Sequence, residues 1–457
     1  MRKNPARQAI SGIPATAWDG RDKPGHDESI GINGNRHARP CATAVRHILC
    51  FTMAHGTVSI RVWDVGHVPG HEKGDNAVRH RNTVFHTVLQ HLPWDEFERL
   101  VKVHGADEDE RGFTAKTQLV AMIYAQLSGT GSLREIVAGL SSHQTRLYHL
   151  GIGKVCRSTL ADANAHRPSD LFSDLFAALV QRAHRGLRRQ LDGTTYLIDS
   201  TSVALNRHSE QWARFSAEVC GAKVHVVYDP DADQPVYSSF SAANVNDITA
   251  AKAMPIEAGA TYVFDLGYYD YAWWAKLDAA GCRIVTRLKR NTPITVTREQ
   301  AAPEDSNILS DRIGHLPKRQ ANNRKNPFHK EVRELRVIID SGKILRIVTN
   351  DLTAPAQVIA DLYKRRWAIE LFFRWVKQTL KITRFIGTSE NAVRIQVAVA
   401  LIAFLLLRLA QATQKAVTSP LAFARLVRAN LMHKRDLRAL LEPEPVVPIN
   451  RNQLAFL

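Results

Sequence analysis

Cysteine is scarce in this chain. Cys41, Cys50, Cys156, Cys220 and Cys282 are the five in 457 residues, scattered and odd in number. No two are spaced as a CxxC pair, so neither a cysteine zinc site nor a disulfide framework is encoded, and the usage fits a reducing cytoplasm. Long apolar runs are missing too. The longest, VAVALIAFLLL at 397–407, falls far short of the roughly 20 residues that span a bilayer and predicts a buried helix. No secretory signal is visible at the start, and no membrane partner is expected. Acidic residues are the third shortage: 44 Asp plus Glu face 61 Lys plus Arg, a formal charge of +17 with a pI near 9.8.

A surplus of positive charge on this scale favours a polyanionic partner, because neutralising phosphates releases their counterions. Hydrophobic residues at 45% and charged residues at 23% are otherwise those of an ordinary globular chain, with length for more than one domain and a large core. Residues 1–79 stand apart. ATAWDGRDKPGHDESIGINGNRHARP is rich in Gly, Asp, His and Arg and has no period of 2 or 3.6, which predicts disorder. The stretch reads either as a basic arm or, more simply, as an extension upstream of the true start, with Met53 a candidate initiator.

From Asn82 the apolar residues fall at helical intervals, in TVFHTVLQHLPWDEFERLVKVHG and TAKTQLVAMIYAQLSG. SLREIVAGL follows a glycine break, with Ser132 as N-cap and Glu135 three residues on, a capping box. An all-helical domain over 82–185 is expected. Its short helices suit either a recognition helix in a DNA major groove or plain packing.

From Thr194 the pattern becomes that of strands. TTYLID ends at Asp199, AKVHVVYD (222–229) and PVYSSFSAA (235–243) follow, and a helix begins after Asp247. TYVFD ends at Asp265, YYDYAWWAKLDAAG is helical, and CRIVTRLKR is a further strand. The order β-β-β-α-β-α-β is the frame of a ribonuclease H-like fold, a mixed sheet flanked by helices. A β-rich insertion at about 292–350 interrupts the domain at 190–412. It ends in a hairpin, EVRELRVIID and KILRIVTND around Ser341-Gly342. From Arg283 to Arg346 it carries 15 Lys plus Arg against 7 Asp plus Glu, a solvated face or a phosphate-tracking one. A basic helical tail is expected over 413–457.

Asp199 and Asp265 each end an apolar strand, where carboxylates point into the crevice in which ligands bind, although acids also finish strands as turn formers. YKRRWAIELFFRWVKQTLK at 363–381 holds six bases and a single acid, Glu370. At 100° per residue, Tyr363, Arg366, Glu370, Arg374, Lys377 and Lys381 share one stripe. Leu362, Ile369, Phe372, Phe373, Val376 and Leu380 form the adjoining apolar face. A surface ion-pair network would alternate signs. One carboxylate ringed by cations and a phenol suits metal binding beside phosphate binding.

The spacing Tyr363-x2-Arg366-x3-Glu370-x6-Lys377 resembles the signature of insertion-sequence transposases of the Asp-Asp-Glu (DDE) class, the IS-four family and its close relatives. IDSTS at 198–202 resembles their first-Asp motif and DLGYYDY at 265–271 the second, although Leu266 stands where some members have Arg. The likeness runs from about Asn82 to Thr413. It implies that Asp199, Asp265 and Glu370 are the catalytic triad and the metal ligands, holding two Mg2+ ions for which Mn2+ can substitute. It also implies that Tyr363, Arg366 and Lys377 contact DNA phosphates, with Arg374 on the same stripe; Arg287 and Lys289 fall nearby.

The implied partners are double-stranded DNA, as terminal inverted repeats and target, and a second copy of the chain, since two ends must be paired. The implied reaction is metal-dependent cleavage at the element's ends followed by strand transfer. Some relatives stack a flipped base on a tryptophan of the insert. No tryptophan lies between Ala275 and Arg366 here, and Trp273, Trp274 and Trp367 are expected in the core. His225 is expected to be a satisfied strand histidine rather than a general base. Two other readings stand beside the transposase: an inactive DNA-binding protein derived from a transposon, and a plain nuclease of the same fold, against which the helical domain and basic insert argue.

Overall fold

The structure is a computed structural model. It describes residues 53–54, 57–58, 82–108, 112–187, 193–214, 219–304, 306–319, 324–380, 385–435 and 437–441. The chain forms two units, Met1–Ala77 and Val78–Leu457. In the first, the described residues are two short antiparallel strands, β1 (Met53–Ala54) and β2 (Thr57–Val58). The disorder expected over 1–79 otherwise lies outside the described residues.

The second unit opens with the expected helices: α1 (Val84–Leu89), α2 (Trp94–Val103), α3 (Ala115–Ser128), α4 (Leu133–Ser142), α5 (Gln144–Leu147), α6 (Arg157–His166) and α7 (Ser169–Leu187). The capping box at α4 forms with one difference. Ser132 Oγ accepts the Glu135 N–H at 3.2 Å, but Glu135 Oε2 reaches back to the Gly131 N–H at 2.8 Å, one residue before the cap. A cap of this kind contributes about 1 kcal/mol.

Nine strands among the described residues then make one sheet. They are β3 (Thr195–Leu205), β4 (Cys220–Asp229), β5 (Gln234–Ala242), β6 (Thr261–Phe264), β7 (Arg283–Arg287), β8 (Thr295–Gln300), β9 (Ile308–His315), β10 (Glu331–Ile338) and β11 (Ile344–Thr349), in the spatial order β5-β4-β3-β6-β7-β11-β10-β9-β8. The half β5 to β7 is the predicted ribonuclease H-like arrangement, with β3–β4 and β4–β5 antiparallel and β3–β6 and β6–β7 parallel. The insertion does not form a separate sheet. Thr349 pairs with Val285 and Ile347 with Arg287, so β11 joins β7 and the four inserted strands extend the same sheet. The predicted hairpin joins β10 to β11. Gly342 takes φ +75°, a left-handed conformation that its lack of a Cβ permits, and Ile339 N–H bonds the Lys343 carbonyl at 3.0 Å.

Helices cover both faces. Between the strands lie α8 (Glu210–Ala213), α9 (Asp247–Ala253) and α10 (Tyr271–Ala279), and after them α11 (Ala356–Arg365), α12 (Trp367–Thr379), α13 (Glu390–Ala412), α14 (Pro420–Asn430) and α15 (Leu437–Leu441). Strand alternation divides the core. Tyr196, Ile198 and Phe264 pack with Trp273 and Trp274 on one side. Leu197, Val203 and Val263 pack with α12 and α13 on the other. Burying each such side chain contributes about 1.5–3 kcal/mol.

The apolar run 397–407 is buried throughout, as predicted. By length and composition α13 could cross a membrane, yet 83% of its most apolar window is buried inside the fold. It packs against α3, α6 and α7, and Asn391 at its start accepts the Ser169 N–H at 3.2 Å and donates to the Arg167 carbonyl at 2.7 Å. The helical region and the sheet thus share one continuous core. Of the expected tail, residues 442–457 lie outside the described residues.

Candidate active site

β3 does not stop at Asp199 but continues to Leu205, because Ser200 to Leu205 stay in register with β4. Asp199 is therefore mid-strand. In the parallel pair, Ile198 lies opposite Phe264, so Asp199 and Asp265 follow neighbouring positions of adjacent strands. Asp265 leaves its strand at once and caps a single 3-10 turn, its Oδ1 accepting the Gly267 N–H at 2.7 Å. Asp199 Oδ1 accepts the Ser200 N–H at 2.8 Å. The third acid, Glu370, comes from α12, which packs on β3.

The basic stretch at 363–381 is not one helix. α11 ends at Arg365 and α12 starts at Trp367, and the intervening turn tightens, with Arg366 N–H bonded to the Tyr363 carbonyl at 3.1 Å and Ile369 N–H to that of Arg366 at 3.3 Å. Both are i to i+3 bonds. The tightening sets the Arg366 side chain between two acids. Nη2 meets Glu370 Oε1 at 2.5 Å, and Nη1 lies 3.6 Å from Asp199 Oδ2. The three acids also sense one another. Burial pushes the Asp199 carboxyl up to about 6, opposed by the Ser200 N–H and Arg366 and reinforced by the charges of Asp265 and Glu370.

The predicted apolar face is buried at all six positions, Leu362, Ile369, Phe372, Phe373, Val376 and Leu380. The polar stripe divides. Tyr363 is buried, and burial raises its hydroxyl pKa. Lys377 is half-buried beside Thr201 of β3, and burial lowers its pKa. Arg374 is exposed, and Lys381 lies outside the described residues.

Tyr363 and Arg366 line a cleft of about 490 Å³ together with Arg287, Lys343 and Lys364. Tyr363 Oη, Arg366 Nε and Arg287 Nε are buried and meet no hydrogen-bond partner among the described residues. Trp367 also lines this cleft and is 51% exposed. Its expected core place is thus wrong: on α12 it falls with Leu371 and Arg374 on the face turned away from the sheet. Trp273 and Trp274 are buried as expected, and His225 is a buried strand histidine whose Nε2 shares a hydrogen bond with Ser241 Oγ at 2.8 Å.

Sequence reasoning missed one residue. Asp247, at the start of α9, accepts a hydrogen bond from Ser200 Oγ at 2.9 Å. Only the folded chain brings residues 200 and 247 together.

Three carboxylates, one of them raised in pKa chiefly by burial, are of the donor type that a hard divalent cation takes. The set is not closed around a single point. Among the described residues no three His, Cys, Asp or Glu side chains gather as a metal-holding group, and one Glu370 oxygen is engaged by Arg366.

Comparison with known proteins gives the family. The Transposase DDE domain family matches residues 190–406, and a domain family of unknown function matches 80–153. A Sinorhizobium fredii protein named as transposase y4zB is 40% identical over 296 residues, 64% of this chain and 82% of that protein. A Geobacillus stearothermophilus protein named as a transposase for insertion sequence element IS5377 is 28% identical over 76% of this chain and 90% of its own length. Among solved structures, a piggyBac transposase synaptic complex with hairpin DNA aligns over 83% of this chain and 86% of that one, with a TM-score of 0.42 and 11% identity. With catalytic-domain motifs, strand order and close relatives in agreement, the chain belongs to the DDE transposases, enzymes that break and rejoin DNA phosphodiester bonds and as a family depend on divalent metal.

Proposed function

We propose that this chain carries out cut-and-paste transposition of an insertion sequence, cleaving at the element's terminal inverted repeats and joining the freed ends to target DNA. One observation carries the reading: Arg366, which bridges Asp199 and Glu370, lines a cleft together with Tyr363, Arg287, Lys343 and Lys364, so a basic wall stands beside two of the three acids. Phosphate oxygens of a DNA strand would pair with the cationic side chains of that wall.

Asp199, Asp265 and Glu370 would hold two Mg2+ ions, with Mn2+ able to substitute. When bound, such ions supply Lewis acidity toward the attacking and leaving oxygens. The protein's own side chains do the rest. Tyr363 and Arg366 direct phosphate toward the carboxylates, and Arg366 can hand its bond with Glu370 to a phosphate oxygen. Lys377 adds positive charge from beside Thr201, and exposed Arg374 tracks the backbone further along α12. No covalent bond to protein is required, so the serines and tyrosines of the site are not nucleophiles.

The helical domain at 82–185 is assigned to recognition of the element's ends, 190–412 with its insert at 292–350 to chemistry, and 413–457 to a basic tail. Two copies of the chain would pair two ends. The resemblance of Tyr363, Arg366, Glu370 and Lys377 to the IS-four signature supports these roles, and a bacterial cytoplasm with its nucleoid is the matching compartment.

The alternative, a DNA-binding protein without chemistry, draws on the unclosed donor set. DNA bearing the sequences that flank this gene separates the two. Mg2+-dependent nicks and joined products support the transposase; firm binding without products in Mg2+ or Mn2+ supports the binder.

A further inference from the structure

The two strand-borne acids of the site are backed by a fourth carboxylate. Asp247 opens α9 next to its N-cap Asn246. Its Oδ1 accepts from Ser200 Oγ at 2.9 Å and lies 3.1 Å from Lys223 Nζ. Lys223 in turn donates to the Val245 carbonyl at 3.0 Å, which fixes the approach to α9. Oδ2 faces the other way, toward Gly267. A Cβ placed on Gly267 would sit 3.1 Å from Asp247 Oδ2 and 3.0 Å from Asp265 Oδ1. The glycine leaves open the space where its Cβ would meet both carboxylates.

These contacts converge on two particular residues. Ser200 is the residue whose N–H holds Asp199, and Gly267 is the residue whose N–H holds Asp265. One side chain thus bonds the hydroxyl of the first of these residues and lies against the second. The buried Tyr268 hydroxyl is raised in pKa first by burial and then by Asp199, Asp247 and Asp265 together, which places all three acids around one ring. Ser200 and Lys223 hold one Asp247 oxygen, and the other lies against the Gly267 turn.

We propose that Asp247 is a positioning residue, which sets the separation and orientation of Asp199 and Asp265 for their shared cation by bracing Ser200 and the Gly267 turn. The proposal rests on the metal-site reading above. Groups that orient metal ligands from behind affect metal affinity strongly, by about 10–100-fold when removed. Asp247→Ala should therefore weaken metal binding about tenfold. Asp247→Asn, which still accepts from Ser200 but loses the charge facing Lys223, should recover part of the loss.

The test is calorimetric titration of the full chain with Mn2+, paired with DNA affinity measured without metal. The expected result is weaker Mn2+ binding in Asp247→Ala, an intermediate value in Asp247→Asn, and unchanged DNA affinity in both. A folded Asp247→Ala that binds Mn2+ as wild type does overturns the proposal. If that variant does not fold, Ser200→Ala, which removes only the hydroxyl, should weaken Mn2+ binding in the same direction; no change there overturns it equally. A wild type that binds Mn2+ without cutting DNA sinks the transposition reading while leaving the bracing role to the titration. A wild type that binds no Mn2+ sinks both.

Discussion

The guanidinium of Arg366 spans from the junction of α11 and α12 to β3, its Nη1 3.6 Å from Asp199 Oδ2, while Nη2 holds Glu370. A single cation thus ties a strand acid to a helix acid, and its Nε is buried without a hydrogen-bond partner among the described residues. Arg366→Ala should lower stability by about 1.5–3 kcal/mol, the range for a hydrogen bond to a charged group. The same change should weaken DNA binding and flatten its salt dependence by about one phosphate contact. Urea denaturation and binding across a salt series read the two effects separately. Unchanged stability with unchanged salt slope would remove Arg366 from the site.

Gly267 is exposed, so Gly267→Ala adds little to or takes little from the core. The added Cβ would press on Asp265 Oδ1 at 3.0 Å. Displacement of a reacting group by a fraction of an ångström to 1 Å can cost up to about 100-fold in rate. The variant should melt with the wild type yet cleave at least about tenfold more slowly. Normal cleavage would show that the Asp265 turn has more freedom than the geometry allows.

A buried ion pair ties two strands of the insert to each other. Arg333 on β10 meets Asp311 on β9 through two bonds, Nε–Oδ1 at 2.8 Å and Nη2–Oδ2 at 2.6 Å, and also donates to the Ala354 carbonyl just before α11. Removing one partner leaves the other charged and buried, which typically costs about 3–5 kcal/mol. Arg333→Met should therefore be strongly destabilising, and the double change with Asp311→Leu should recover much of the loss. Equal stabilities of single and double variants, in a urea series, would contradict the pairing.

The elements that carry the candidate residues were legible in the sequence because their signals are local. The strands that carry Asp199 and lead into Asp265, one acid inside a basic stripe, and a Ser-Gly turn between alternating runs are all local patterns, although β3 runs past Asp199 to Leu205. What was missed is non-local. The pairing of β11 with β7 joins residues about 60 positions apart, and nothing in either strand names its partner. Asp247 meets Ser200 only through the folding of β4 and β5 between them. Periodicity alone extends a helix through Arg366, whereas the two i to i+3 bonds there answer to the acids it must reach. Trp367 looked like core by composition, but its angular position on α12 decides its exposure.

His225 gives the fold a pH dependence. Burial lowers its pKa below 6.5, outweighing the pull of Asp247. Above pH 6.5 the ring is neutral folded and unfolded, and contributes nothing to the slope. As pH falls through 6.5, the unfolded chain takes up a proton that the buried ring refuses, so stability declines. Urea midpoints at pH 7.5 and pH 5.5 should differ less for His225→Leu than for wild type. An identical difference would assign the loss to other groups, such as His86 and His91, whose pKa values burial also lowers.

The most direct test of the account is Mg2+-dependent cleavage of DNA carrying the sequences that flank this gene. Wild type and Glu370→Gln are compared at concentrations where both bind that DNA equally. The account predicts nicking by wild type and none by Glu370→Gln, since the amide keeps the shape and the Arg366 contact but loses the charge a cation needs. Equal cleavage by the two proteins would contradict it, because Glu370 would then lie outside the chemistry that Asp199 and Asp265 perform.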